Sequence, residues 1–236
     1  MIEVRNIAFS YRDRPVLRDV SFVVSPGEVV AVVGANGAGK TTLLKVLATL
    51  AIPESGTVMV DGRDALERPL KYRRQIGYLP ERVALYEDMT VKEYLHYRAN
   101  LKGEPSKRVR RRVSEAAEFC QVSGLLRETI RNLSAGLRKR VALADALLLR
   151  PRVLLLDDFL GGLDRSMRET AGEVLSNAAA FSSVIVTGHE YADFARWTTR
   201  FLVLPNGVIS TALETTGLEM PKLLERLDLA LEGGLA

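Results

Sequence analysis

The chain has 236 residues, 47% hydrophobic and 26% charged, with a net charge of +4. These are the proportions of a folded globular chain with room for one large α/β domain, and no uninterrupted apolar stretch reaches the ~20 residues of a membrane span. The single cysteine, Cys120, excludes an internal disulfide and is expected as a buried helix residue; with Met1 to Arg5 reading as strand and not as an apolar leader, the expected compartment is the cytoplasm.

In chain order, residues 1–33 alternate and then run apolar. Val4, Ile7 and Phe9 mark one strand, Val20, Phe22 and Val24 a second, and Val29 to Val33 a third. Turns at Arg12-Asp13-Arg14-Pro15 and Ser25-Pro26-Gly27 separate them. The third strand runs into Gly34-Ala35-Asn36-Gly37-Ala38-Gly39-Lys40-Thr41, which fits the phosphate-binding pattern G-x-x-x-x-G-K-[ST]. Glycines there bring backbone N–H groups close to phosphates. Lys40 reaches the β- and γ-phosphates, and the Thr41 hydroxyl ligates Mg²⁺. Thr41 to Leu50 reads as a helix whose N-terminus faces the anion.

Thr57 to Val60 is a further strand, closed by Asp61-Gly62, and Ile76 to Leu79 another, ended by Pro80. From Thr90 to about Arg150 helical periodicity takes over, broken at Gly103-Glu104-Pro105, Ser123-Gly124 and Asn132. Val153 to Leu156 is a short apolar strand of the kind buried on both faces of a parallel sheet. Arg165 to Phe181 reads as a helix, Val184 to Val186 as a strand, and Phe201 to Leu204 with Val208 to Ser210 as a hairpin around Asn206-Gly207. The tail carries an amphipathic helix from about Pro221 to Leu231. Strands alternating with helices mean an α/β fold.

Two basic runs stand out, Lys107 to Arg112 and Arg138-Lys139-Arg140. Solvated helix faces explain both; contact with phosphate, lipid headgroups or an acidic partner is the sharper alternative. No aromatic interleaving supports nucleic acid binding, and none is expected. His96 reads as a structural residue of the helical segment.

The order of the later motifs is informative. Asn132-Leu133-Ser134-Ala135-Gly136-Leu137-Arg138 precedes a helix; Val153-Leu154-Leu155-Leu156-Asp157-Asp158 and Gly161-Gly162-Leu163-Asp164 follow; a strand ending Thr187-Gly188-His189 comes next. This order resembles the ATP-binding-cassette (ABC) ATPases, over about residues 1–212. The resemblance implies a P-loop NTPase (RecA-like) core with an antiparallel β lead-in, a helical subdomain inserted at about 83–150, and a C-terminal helical tail at 213–236. It implies ATP and Mg²⁺, bound by Gly34, Asn36, Gly37, Ala38, Gly39, Lys40, Thr41 and Thr42, with Tyr11 stacked on adenine. Asp157 and Thr41 would hold the metal. Asp158 takes the place of the family's water-polarising glutamate, His189 that of the switch histidine, and Glu81 that of the Q-loop glutamine, where it still offers an oxygen to metal or water. Ser134 and Gly136 would bind the nucleotide of a second ABC subunit, in a homodimer or a heterodimer. Transmembrane permease subunits are the implied partners, with this chain on the inner face of the membrane and Arg82 to His96 as the docking segment.

The departures bear on rate and direction. Ala135 adds a methyl where the partner's nucleotide approaches, and Phe159-Leu160 replaces a proline-threonine pair. Asp158 is one methylene shorter than glutamate, so slow hydrolysis is expected. Leu79-Pro80-Glu81 and Leu133-Ser134-Ala135-Gly136 look most like bacterial exporter ATPases. A soluble ABC ATPase, or a nucleotide switch with weak hydrolysis, is the alternative.

Overall fold

The computed structural model describes residues 1–189, 191–193 and 195–232. In chain order the elements are β1 (Ile2–Tyr11), β2 (Arg14–Val24), β3 (Val29–Val33), α1 (Lys40–Leu47), β4 (Ser55–Val60), β5 (Arg63–Asp64), α2 (Pro69–Arg73), β6 (Ile76–Leu79) and α3 (Val91–Leu101). Then come α4 (Ser106–Phe119), α5 (Ala135–Leu147), β7 (Val153–Leu156), α6 (Arg165–Ala179), β8 (Ser183–Gly188), β9 (Arg200–Val203), β10 (Thr211–Glu214) and α7 (Met220–Leu231).

The strands sort into two sheets. The lead-in is antiparallel, in the order β2-β1-β4-β5; the main sheet runs β10-β9-β3-β8-β7-β6. Within the main sheet β9, β3, β8, β7 and β6 are parallel, and β10 pairs antiparallel to β9 at the edge. The tight Arg12-Asp13 connection puts Tyr11 opposite Arg14, so Pro15 falls inside β2 and not in the turn. An edge strand tolerates it, since an outward-facing ladder position needs no donor.

All five residues of β3 are buried because both faces of the sheet are covered. Val29, Ala31 and Val33 join the core under α3–α6; Val30 and Val32 join a second core shared with α1 and the lead-in sheet. The inserted segment forms α3, α4 and α5. Thr90 opens α3 with a reciprocal capping box, its hydroxyl accepting from the Glu93 N–H while the Glu93 carboxylate takes the Thr90 N–H. Cys120 is buried as expected but stands just past the end of α4; burial pushes its thiol up to about 12.

The terminal hairpin is displaced from its expected place. Asn206 and Gly207 do form a tight turn, with φ of 51° and 80°, closed by the Val208 N–H on the Pro205 carbonyl at 3.2 Å. The Gly207 carbonyl accepts from the Arg18 N–H at 2.8 Å, so the turn docks on β2; the Ser210 N–H closes onto the Val203 carbonyl at 3.0 Å, and the regular pairing starts at Thr211. The returning strand is β10, which crosses residue 212. Leu223, Leu227 and Ala230 of α7 are buried in the same core as α6 and β9. Residues 233–236 of the tail lie outside the described residues.

Candidate functional site

Parallel strands release their loops on one side of the sheet, and four neighbouring strands release the chemistry-bearing residues together. The phosphate loop follows β3, Glu81 follows β6, Asp157 and Asp158 follow β7, and Thr187 and His189 stand at the end of β8. They line a cleft of about 1040 Å³, closed on its far side by Tyr11, Arg14, Pro15, Val16, Arg18 and Asn206.

The loop holds its shape through its glycines. Gly37 and Gly39 have φ of 83° and 105°, and a Cβ at Gly39 would also come within 3.1 Å of the Val16 carbonyl oxygen. Gly34 lies under the loop, where a Cβ would sit 2.5 Å from the Leu204 carbonyl oxygen. Ala38 is buried beneath the loop and does not line the cleft. Gly39 caps α1 without a side-chain hydrogen bond, leaving the first-turn N–H groups to a ligand. Lys40 folds back, donating from Nζ to the carbonyls of Gly34 at 2.7 Å and Ala35 at 3.0 Å. Burial lowers its ammonium pKa; Asp158 and Asp157 oppose the shift.

Under the loop, the Thr41 hydroxyl donates to Oδ1 of Asp157 at 3.1 Å and the Thr187 hydroxyl to the same oxygen at 2.7 Å. Oδ2 of Asp157 is buried without a hydrogen-bond partner. Burial raises the Asp157 pKa, the two hydroxyls oppose this, and Glu81 and Asp158 add to it. A buried carboxylate oxygen without a partner, beside a threonine hydroxyl, fits a Mg²⁺ ion held by few protein ligands and by phosphates. Among the described residues no cluster of three or more His, Cys, Asp or Glu forms an all-protein metal cage. Thr187 also accepts from the Asp158 N–H at 3.1 Å, which ties the two aspartates to β8. Asp158 is left-handed, φ 44°, and its Oδ1 is 3.5 Å from Nδ1 of His189. The Asp158 carboxylate lies against Gly161, in room that a side chain there would fill.

The family model for ABC transporters matches residues 17–160. The uncharacterized ABC transporter ATP-binding protein YxlF of Bacillus subtilis is 33% identical over 210 residues, covering 89% of this chain and 70% of that protein. The sulfate/thiosulfate import ATP-binding protein CysA of Synechocystis sp. is 32% identical over 211 residues, covering 88% of this chain and 59% of that protein. A solved structure described as the ATP binding subunit of an ABC transporter superposes with a TM-score of 0.83 at 28% identity, covering 97% of this chain and 99% of that one.

This chain belongs to the ABC transporter family.

It spans about half to seven tenths of the length of the curated relatives it matches. Of the residues assigned to the cassette from sequence, Tyr11, Asn36, Gly37, Gly39, Lys40, Thr41, Thr42, Glu81, Asp157, Asp158 and His189 all line the cleft. Tyr11 is 49% exposed and packs edge-on against Phe9, ring centroids 4.9 Å apart. Ser134 and Gly136 are elsewhere. Ser134 is an exposed N-cap of α5, accepting from the Leu137 N–H at 3.3 Å. Gly136 is buried, and a Cβ there would strike Sδ of Met167 on α6.

Sequence reasoning missed Arg14, Arg18, Thr187 and Asn206. Thr187 was findable as the hydroxyl two residues before His189 at a strand end; the other three reach the cleft only through the β1–β2 turn and the docked Asn206-Gly207 turn. His96 accepts the structural reading, with Nδ1 2.8 Å from its own helix's Lys92 carbonyl. The first basic run is a solvated face in part: Lys107, Arg108 and Arg110 are exposed, while Arg111 and Arg112 pair with Glu115 and Glu104.

The second run is not a solvated face. Arg138 bonds the carbonyls of Leu133 and Arg131 and the Glu87 carboxylate, and Arg140 the carbonyls of Cys120 and Gln121. Lys139 bonds those of Asp158, Phe159 and Gly161. Half-buried cations find partners, and here the partners are carbonyls at the ends of neighbouring segments.

Proposed function

We propose that this chain binds ATP with Mg²⁺ in the cleft and hydrolyses it to drive transport through separate membrane subunits. The observation that carries the reading is the meeting of Thr41 and Asp157 beneath the phosphate loop, with Oδ2 of Asp157 buried and without a partner. The α1 N-terminus and Lys40 receive the phosphates, Lys40 exchanging the carbonyls of Gly34 and Ala35 for phosphate oxygens. Bound Mg²⁺ supplies neutralising charge to those phosphates. Tyr11 offers its exposed ring to adenine. Asp158 orients the attacking water, His189 contacts the γ-phosphate, and Glu81 contacts metal or water. Thr187 holds both aspartates in place.

Ser134, with the start of α5, completes the site of a second cassette, so the working unit is a head-to-tail pair of like or unlike chains. Among the described residues no helix is long and apolar enough to cross a membrane. On this reading the pair works at the inner face of the membrane, with Arg82 to His96 against a permease. Leu79-Pro80-Glu81 and the Ala135 signature support export. Relatives named as import proteins support import equally, and transport into or out of reconstituted vesicles decides the direction.

Lys40→Ala tests the site. ATP is expected to stabilise the wild type on heating and to leave the variant unmoved, with both melting cooperatively without nucleotide. Stabilisation of the variant equal to wild type would remove Lys40 from the site. Asp158 and Ala135 favour one second reading, a switch that binds ATP and barely hydrolyses it; steady-state phosphate release separates the two.

A further inference from the structure

The second basic run contains a cation that nucleotide binding does not explain. Lys139 lies on α5, in the helical layer, and reaches across to the loop that follows β7. Its Nζ donates to the carbonyls of Asp158 and Phe159, each at 3.3 Å, and to that of Gly161. An ammonium has three donors on a rotatable stem, so one lysine can hold three main-chain oxygens where a planar guanidinium cannot turn to each.

The loop it holds has a special backbone. Asp158 sits at φ 44°, in the left-handed region, which aspartate tolerates better than most residues but which its surroundings still have to select. Those surroundings can be named. Thr187 takes the Asp158 N–H from the β8 side. Phe159 and Leu160 bury their side chains in the core, 0% and 5% exposed. Lys139 and the Gly161 N–H take the Asp158 carbonyl. Lys139 is the hold that comes from outside the parallel sheet, and it grips both sides of Leu160.

We propose that Lys139 is a positioning residue for hydrolysis: by fixing the carbonyls of Asp158, Phe159 and Gly161 it sets the left-handed backbone of Asp158, and so the place of its carboxylate beside His189 and against Gly161. The inference rests on the reading that Asp158 orients the attacking water. The lowered pKa of the Lys139 ammonium, caused by burial and opposed by Asp158 and Glu81, agrees with a cation enclosed among these groups.

The test is a double-mutant cycle on the full chain, read as steady-state ATP hydrolysis. Lys139→Met keeps the stem and removes the donors. It is expected to lower kcat about ten- to a hundredfold, the scale of a displacement of about 1 Å, with KM and ATP-induced thermal stabilisation unchanged. Lys139→Gln satisfies at most two of the three carbonyls and is expected to give a smaller loss of the same kind; it also serves if the methionine variant does not fold. In an Asp158→Asn background, Lys139→Met is expected to cost nothing further. An equal loss in that background would overturn the proposal, since Lys139 would act independently of Asp158. So would a rise in KM with kcat intact, or wild-type kcat in both Lys139 variants. An Asp158→Asn variant as active as wild type would instead strike down the reading of Asp158 itself.

Discussion

Replacing Asp158 by glutamate asks whether the carboxylate beside His189 falls short of the water that the proposed function gives it to orient. One added methylene carries the carboxylate about 1.5 Å further. A misplacement of about 1 Å costs roughly a hundredfold in rate, so part of that is recoverable. Gly161 has no side chain at the place where the aspartate carboxylate lies, so a longer side chain meets main chain and not a Cβ there. The backbone sets a cost. At φ 44° aspartate is among the residues best tolerated, and glutamate is not, which is worth about 1 kcal/mol. For a chain of this size that is about 2–4 °C in Tm. The expected result is therefore a kcat raised about tenfold, an unchanged KM, and a Tm lowered by about 2–4 °C. On the proposed role of Asp158 the gain falls in kcat, because a carboxylate that touches the attacking water and not the ground-state nucleotide acts on the transition state alone. Phosphate release and a thermal melt read both quantities on one preparation. A lower kcat would refute the reasoning, because the loop with Phe159 and Leu160 would then be shaped to bring aspartate to the right place. An Asp158→Ala variant as fast as wild type would take Asp158 away from the water altogether.

With saturating ATP and Mg²⁺, an Asp158→Asn variant is expected to run as a dimer in light scattering if, as proposed, each site is completed by Ser134 of a second chain; a monomer would point to an unlike partner cassette. Asp145, a buried carboxylate on α5, is paired with Arg98 at 3.0 Å and Lys102 at 2.7 Å. Asp145→Ala strands those cations at a cost of about 3–5 kcal/mol, which a melt reads as a fall of about 6–20 °C. A change below the low end of that range would show the pair to be solvated. Burial by itself raises the Asp145 pKa, but Lys102 and Arg98 more than offset it and hold it below the usual carboxylate range. Its contribution is thus complete above that range and is lost as the pH falls through the lowered value. The wild type is expected to lose this increment of Tm in acid and Asp145→Ala is not.

The phosphate loop, the apolar strands β3, β7 and β8, and the order of motifs along the chain were legible because each is a local signal: a glycine spacing, a run of buried side chains, a turn. So was most of the cleft, since residues at the ends of neighbouring parallel strands are brought together by the topology alone. What escaped was set by contacts distant in sequence. Arg18 donates its N–H to the Gly207 carbonyl across the fold, and the last strand begins only at Thr211. Arg138, Lys139 and Arg140 look like a surface patch until the carbonyls they bond, on three separate segments, are in view. The left-handed Asp158 carries no sequence mark, because aspartate is as ordinary in extended backbone as it is tolerable there.

Successive residues leave an α-helix about 100° apart around its axis. Arg138, Lys139 and Arg140 therefore point to three sides of α5, and each is fastened on its own side: to Arg131 and Leu133, to the 158–161 loop, and to Cys120 and Gln121. A helix fastened in this way resists being rolled. Turning it about its own axis in either direction would tear at least one set of bonds while compressing another. The displacement left open to α5 is one in which its moorings travel with it, so the exposed Ser134 at its tip keeps its aim relative to the Asp158 loop.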